Sequence, residues 1–148
     1  VVTTPLQAKK PLKSTSLMSF KEIAVGDHSF QGKEKPMRLK DLIENPLISL
    51  GQGSTTYEFY SKFFLENDLV LSPDTEVETI DQVLPLIMNG LGIGFLPELF
   101  VRPVIEEGKV CQIPLKENIP EREICLVENH TFPPSIAAEM FKKMLVLK

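Results

Sequence analysis

A chain of 148 residues, 43% of them hydrophobic, can bury one compact core or two small lobes without disulfide staples. A net charge of −4 with no long Lys/Arg block argues against direct duplex binding, which needs a positive face. No apolar run approaches the ~20 residues that span a bilayer. No signal peptide is present, and a start on Val1 reads as a piece of something longer.

Val1 to Thr4 has the character of a buried strand end, broken by Pro5. Residues 6 to 19 are polar and read as a loop, with Lys9, Lys10 and Lys13 solvated around Pro11. Phe20 to Val25 regains strand character, and Gly26-Asp27 breaks it. Leu39, Leu42 and Ile43 predict a short helix over 39–44, stopped by Pro46 because the residue before a proline is pushed out of the α region. Leu47 to Leu50 is an apolar strand. The turn-rich run Gly51-Gln52-Gly53-Ser54-Thr55-Thr56 follows. Phe59, Phe63 and Phe64 then repeat at helical spacing and predict a helix over 56–67.

Glu76-Val77-Glu78 is a short strand. Ile80, Val83, Leu84 and Ile87 predict a helix over 80–89. Ile93 to Leu96 is the next strand, and Pro97 suits the first turn of another helix, where its missing N–H has no partner anyway. Gly108 ends that helix. Two strands follow, Val110 to Leu115 and Glu123 to Glu128. Ile136, Ala137, Met140, Phe141, Met144, Leu145 and Leu147 predict a last helix behind Pro134. Strands alternating with helices imply an α/β fold with a mainly parallel sheet covered on both faces.

The run Gly90-Leu91-Gly92-Ile93-Gly94-Phe95-Leu96-Pro97 has the glycine density of a phosphate loop. A dinucleotide fingerprint, however, follows a strand and opens a helix. Here the helix comes first and the strand second. Gly90 therefore fits the left-handed position after a helix, and Gly92 and Gly94 let the strand run close to a neighbouring backbone.

The stretch Gln52 to Thr56 is the better ligand candidate. Thr55 with Glu58 three residues on has capping-box spacing, so Thr55 is expected to open the helix. A helix start carries partial positive charge and undersatisfied N–H groups. With Ser54 and Thr55 it can hold an anion or carboxylate, although a plain cap also explains Thr55. Thr79 and Gln82 repeat the capping pattern at the next helix, with Glu76, Glu78 and Asp81 beside them to repel an anion. Thr4 ends a strand at the expected carboxyl edge of the sheet, where open α/β folds bind ligands. Turn chemistry before Pro5 accounts for it equally.

No catalytic constellation stands out: there is no Gly-x-Ser-x-Gly, Gly-x-x-x-x-Gly-Lys or His-Glu-x-x-His. His28 and His130 read as solvent-facing loop residues. Glu106 and Glu107, like Glu76 and Glu78, read as solvated surface. Cys111 and Cys125 sit in apolar strand-like runs and read as buried small hydrophobes in a reducing compartment, not as a disulfide. Without a Cys-x-x-Cys or a His pair at metal spacing, no metal site is expected.

Five segments in order make the chain similar to the effector-binding domain of LysR-type transcriptional regulators. They are Val1-Val2-Thr3-Thr4-Pro5-Leu6; Arg38-Leu39-Lys40-Asp41-Leu42 with Pro46-Leu47-Ile48-Ser49-Leu50; Gly53-Ser54-Thr55-Thr56; Leu86 to Glu98; and Gly108-Lys109-Val110 with Ile124-Cys125-Leu126-Val127. The resemblance implies a type 2 periplasmic-binding-protein-like fold of two Rossmann-like lobes with a small inducer in the cleft between them. Residues 1–22 and 129–148 would form part of the first lobe. Residues 23–128 would form the second, with crossover strands at 23–25 and 125–127. The family's first strand, first effector loop and early helix would precede Val1, as would the helix-turn-helix domain that carries DNA binding.

The effector-contacting positions that match are Thr4, Ser54 and Thr55; Gln52 and Thr79 join them as candidates. The resemblance further implies no enzymatic activity, no cofactor, a cytoplasmic homo-oligomer and no membrane association. The alternative is a secreted solute-binding protein of the same architecture.

Overall fold

The computed structural model describes residues 1–4, 11–32 and 34–146. The expectations for Pro5 to Lys10 and for Leu147 lie outside the described residues. The chain divides into two compact units, Val1–Phe20 with Glu121–Lys148, and Lys21–Pro120.

In the first unit, β1 (Val2–Thr3) and β2 (Leu12–Phe20) both pair antiparallel with β8 (Arg122–Asn129), giving the order β1-β8-β2. Residues 12–19 are therefore strand, not loop. Their hydroxyl-rich sequence is exposed over most of its length, so burial left no alternation to read. The register slips between Ser16 and Met18. β1 exists, but Val1 and Val2 are exposed rather than buried. The last helix spans Ile136–Val146. The helix is the one that their spacing predicts, and its apolar residues Ile136, Met140, Phe141 and Met144 face solvent. Lys142 Nζ ties it to Glu128 Oε1 of β8 at 2.8 Å.

The second unit is a five-stranded sheet of order β5-β4-β6-β3-β7. In chain order it runs β3 (Glu22–Gly26), α1 (Leu39–Leu42), β4 (Leu47–Leu50), α2 (Thr55–Glu66), β5 (Thr75–Val77), α3 (Val83–Met88), β6 (Ile93–Pro97), α4 (Glu98–Glu106) and β7 (Cys111–Ile113); the last helix of the first unit is α5. β4 pairs parallel with β5 and β6, as strands joined by helical crossovers must. β3 pairs antiparallel with β6 and β7. The expectation of a mainly parallel sheet thus holds for β5-β4-β6 and gives way at β3, making the sheet mixed.

Alternation along each strand divides the core between two faces. Ala24, Leu47, Ile93 and Phe95 pack with Leu39, Leu42, Tyr60, Phe63 and Phe64 of α1 and α2. Ile23, Val25, Ile48 and Leu96 pack with Val83, Leu84, Ile87 and Val101 of α3 and α4. Phe95 clamps α2 to the sheet: Tyr60 stacks on it at 4.7 Å between ring centroids, and Phe64 meets it edge-on at 6.1 Å. Each such pair adds about 0.5–1.5 kcal/mol beyond burial.

Gly90 takes the position that the sequence suggests. It follows α3 at φ +70. Its N–H donates to Ile87 O at 2.9 Å and that of Leu91 to Leu86 O at 3.1 Å. These two bonds close the helix end in a Schellman motif.

Candidate functional site

The carboxyl ends of β4 and β5 and the start of α2 meet around residues 51–56. Leu50 pairs with Val77, and the next amide, Gly51 N–H, donates to Val77 O at 3.2 Å. Asp74 holds the other end of the pair, accepting from Leu47 N–H at 2.8 Å. The loop is thereby anchored to two strands before it turns into the helix.

Ser54, not Thr55, is the N-cap. Its Oγ accepts from Tyr57 N–H at 3.0 Å and donates to Gly51 O at 3.0 Å. Ser54 O also accepts from Glu58 N–H at 3.0 Å. The capping-box reading placed the helix start one residue late, because Ser54 and Thr55 are equally competent caps by type and only the backbone turn selects between them. The consequence is chemical. The Ser54 hydroxyl proton is committed to Gly51, so Ser54 shapes the loop rather than offering a donor to an anion. Thr55 is exposed at the first helical position, and Thr56 behind it is half-buried.

The structure brings Gln52, Ser54 and Thr55 together in this one loop. Thr79 lies at the same sheet edge, two residues beyond the end of β5. Gln82 Oε1 accepts from Thr79 N–H at 3.2 Å and Glu78 N–H at 3.0 Å, which keeps the capping relation expected there. The turn at 80–82 is a 3-10 helix that leads into α3. Thr4 is half-buried in the other unit.

Two further polar residues lie at this edge: Ser49, which the sequence does not single out, and Glu76, which it marks as exposed surface. Ser49 is the one hydroxyl in the apolar run Leu47–Leu50 and is 8% exposed. That interruption was the available signal. Ser49, Thr56, Tyr60 and Phe95 border a cavity of about 10 Å³, room for about one water. Glu76 pairs with Ser49 across β4 and β5. Its Oε2 lies 3.3 Å from where a Cβ on Gly51 would sit.

Elsewhere the surface is ordinary. His28 and His130 are exposed, as are Glu106 and Glu107. Cys125 is buried, Cys111 is half-buried, and both are free thiols. Among the described residues no cluster of His, Cys, Asp and Glu could hold a metal ion, and no helix is long and apolar enough to cross a membrane. A broader hollow of about 1220 Å³ in the first unit is bordered by Val1, Leu126, Phe132 and Phe141. It is mostly apolar, and the start of α5, where Ser135 Oγ accepts from Ala138 N–H at 3.2 Å, borders it.

A mixed sheet layered between helices, with a helix start at the carboxyl edge of its parallel strands, is the architecture of the periplasmic-binding-protein-like ligand-binding domains. The family model of the LysR substrate binding domain matches residues 1–147, and the chain belongs to that family.

Two curated relatives are similar in sequence. The HTH-type transcriptional regulator YwqM of Bacillus subtilis is 29% identical over 68% of this chain and 33% of its own length. The HTH-type transcriptional activator CmpR of Synechocystis is 34% identical over 43% of this chain and 21% of its own length. The matched region therefore spans a third or less of either relative. Among solved structures, the Synechocystis CcmR regulatory domain in complex with 2-PG superposes with a TM-score of 0.84 at 12% identity, covering 99% of this chain and 71% of the other. The effector-binding domain of QuiR in complex with shikimate gives 0.82 at 16%, covering 99% and 69%.

Proposed function

We propose that this chain senses a small anionic effector for a DNA-binding transcriptional regulator, and that residues 52–55 form part of the effector site. The observation that carries this reading is the α2 start, which opens beside an exposed Thr55 at the carboxyl edge of β4 and β5. A carboxylate there gains from the helix dipole and from backbone N–H groups. Gln52 and Thr79 flank the loop, and Thr4 is a separate candidate contact in the first lobe. In this reading residues 1–22 and 129–148 belong to the first lobe and 23–128 to the second.

Effector binding does work only if it has different affinity for two arrangements of the regulator. DNA contact belongs to a separate N-terminal domain, since this chain carries a net charge of −4. The regulator names of both relatives favour this reading over a secreted solute-binding protein and over an enzyme. The regulator acts in the cytoplasm as a homo-oligomer, with no cofactor and no membrane attachment.

The experiment is isothermal calorimetry on the full-length protein against a panel of small carboxylates and inorganic phosphate. Thr55→Ala weakens the binding of whichever anion is taken up. Unchanged affinity in Thr55→Ala would remove the site from this loop.

A further inference from the structure

We propose that two copies of this chain pair through the last helix, with α5 of one copy lying antiparallel on α5 of the other. This names an interface for a homo-oligomer and does not depend on where the effector binds.

Three observations lead there. First, α5 is unenclosed. Both clusters of packed core residues lie in the second unit. In the first unit the buried hydrophobic residues, among those described, are Cys125, Leu126 and Val127 of β8. Every residue from Ile136 to Met144 is exposed. The ion pair of Lys142 Nζ with Glu128 Oε1 at 2.8 Å turns one side of the helix towards β8. Ile136, Met140 and Met144, spaced by four, share the side turned away.

Second, the exposed area has the size of an interface. Ile136 is 80% exposed, Met144 70% and Met140 62%. Phe141 on the flank is exposed too, as is Phe132, which borders the same hollow. Large side chains so exposed present together on the order of 600 Å², at the top of the range for the largest apolar patch on a monomer. With the charged residues beside the stripe, the face approaches the roughly 800 Å² per partner that a stable pair buries. Methionine suits such a contact, because its unbranched side chain adapts to the facing surface.

Third, the charges along the stripe select a second copy and its direction. Glu139 and Lys143 border the same side of the line Ile136-Met140-Met144, one turn apart. A two-fold axis at Met140 sets Met140 against the partner's Met140, and Ile136 against the partner's Met144. Glu139 then meets the partner's Lys143, and symmetry makes the pair occur twice. On the other flank Phe141 meets the partner's Ala137. A parallel pair would instead oppose Glu139 to the partner's Glu139, and Lys143 to the partner's Lys143. The helix surface is thus complementary to its own reverse, and flanking charges of this kind set helix orientation.

The test is sedimentation velocity on the whole 148-residue chain from ~1 to ~500 μM, the range for an interface without tight anchors. Wild type is expected to pass from monomer to dimer within it. Met140→Glu places two carboxylates on the axis and should raise the dissociation constant at least ~30-fold, the scale of opposed like charges. Lys143→Glu should raise it at least ~5-fold, the scale of two exposed ion pairs. Glu139→Lys combined with Lys143→Glu should return it to within ~3-fold of wild type. Leu65→Glu, at an exposed position of α2 in the second unit, is the control and should leave dimerisation unchanged. Every substituted residue is exposed, and far-ultraviolet circular dichroism checks that each variant keeps its fold.

A chain that stays monomeric over the whole range would overturn the pairing. Protection of the α5 amides from hydrogen exchange in that monomer would assign the face to residues of the same chain. A dimer that survives Met140→Glu, or that Leu65→Glu dissolves, would place the interface elsewhere and overturn it as well. Failure of the double charge reversal to restore what Lys143→Glu loses would overturn the antiparallel register, and the proposed pairing with it. None of these outcomes bears on the anion site, which calorimetry on Thr55→Ala tests separately.

Discussion

Gly92 passes so close to Pro46 that a Cβ on the glycine would lie 2.5 Å from the Pro46 carbonyl oxygen. That oxygen accepts from Ile93 N–H at 2.9 Å, so it cannot swing aside without breaking the start of β6. Gly92 also holds φ +156. Gly92→Ala is expected to lower the unfolding free energy by about 2–4 kcal/mol, the combined scale of backbone strain and overpacking. Urea denaturation followed by circular dichroism measures it; a loss below ~0.5 kcal/mol would mean that β6 adjusts freely.

Ser54 and Thr55 separate folding from binding. Ser54→Ala removes the acceptor of Tyr57 N–H and should cost about 1 kcal/mol of stability. Thr55→Ala leaves that bond in place and should cost less than ~0.5 kcal/mol while reducing anion affinity. Tm and calorimetry on the two variants, side by side, distinguish the roles. Equal Tm losses would move the cap back to Thr55.

Adjacent positions on α2 provide a check on its orientation. Phe64 is fully buried and Leu65 is 61% exposed. Phe64→Ala should destabilise by about 3–5 kcal/mol, through lost burial and the cavity left behind. Leu65→Ala should stay within about 0.5 kcal/mol. Chemical denaturation of both variants checks the contrast, and a comparable loss at Leu65 would contradict the helix face described here.

Glu128 in the first unit has its titration shifted by its neighbours. The hydrogen bond from Lys142 holds its carboxyl below the usual value of 4.5, with the nearby charges of Lys142, His130 and Lys13 adding to it and partial burial opposing. A depressed folded pKa means that the unfolded chain takes up its proton first. The contribution is therefore full well above pH 4.5 and fades as pH falls through the folded value. At pH 7 wild type should exceed Glu128→Gln by no more than about 1 kcal/mol, since the pair is partly solvated. The difference should close in more acidic buffer. Thermal melts from pH 7 to pH 3 on both proteins follow it, and a difference independent of pH would exclude the ion pair as its source.

Much of the second unit was legible because its signals are local. Ile80, Val83, Leu84 and Ile87 repeat at three and four and mark a buried helix face, and Gly90 marks its end in a single residue. β2 was not legible. Ser14, Thr15, Ser16 and Ser19 carry no burial pattern, and residues 12–20 become a strand only because β8, more than a hundred residues on, supplies hydrogen-bonding partners such as Leu126 opposite Thr15.

Residue pattern by itself determined the α/β class, the family and the loop at 52–55, because periodicity, turn chemistry and a helix start are properties of short segments. Tertiary structure decided which hydroxyl caps α2, that β3 runs antiparallel to β6, and that Ser49 and Glu76 stand side by side. Each of these depends on register between strands separated by tens of residues, where the choice of partner is made by packing and hydrogen bonding across the sheet rather than by the residues next in line.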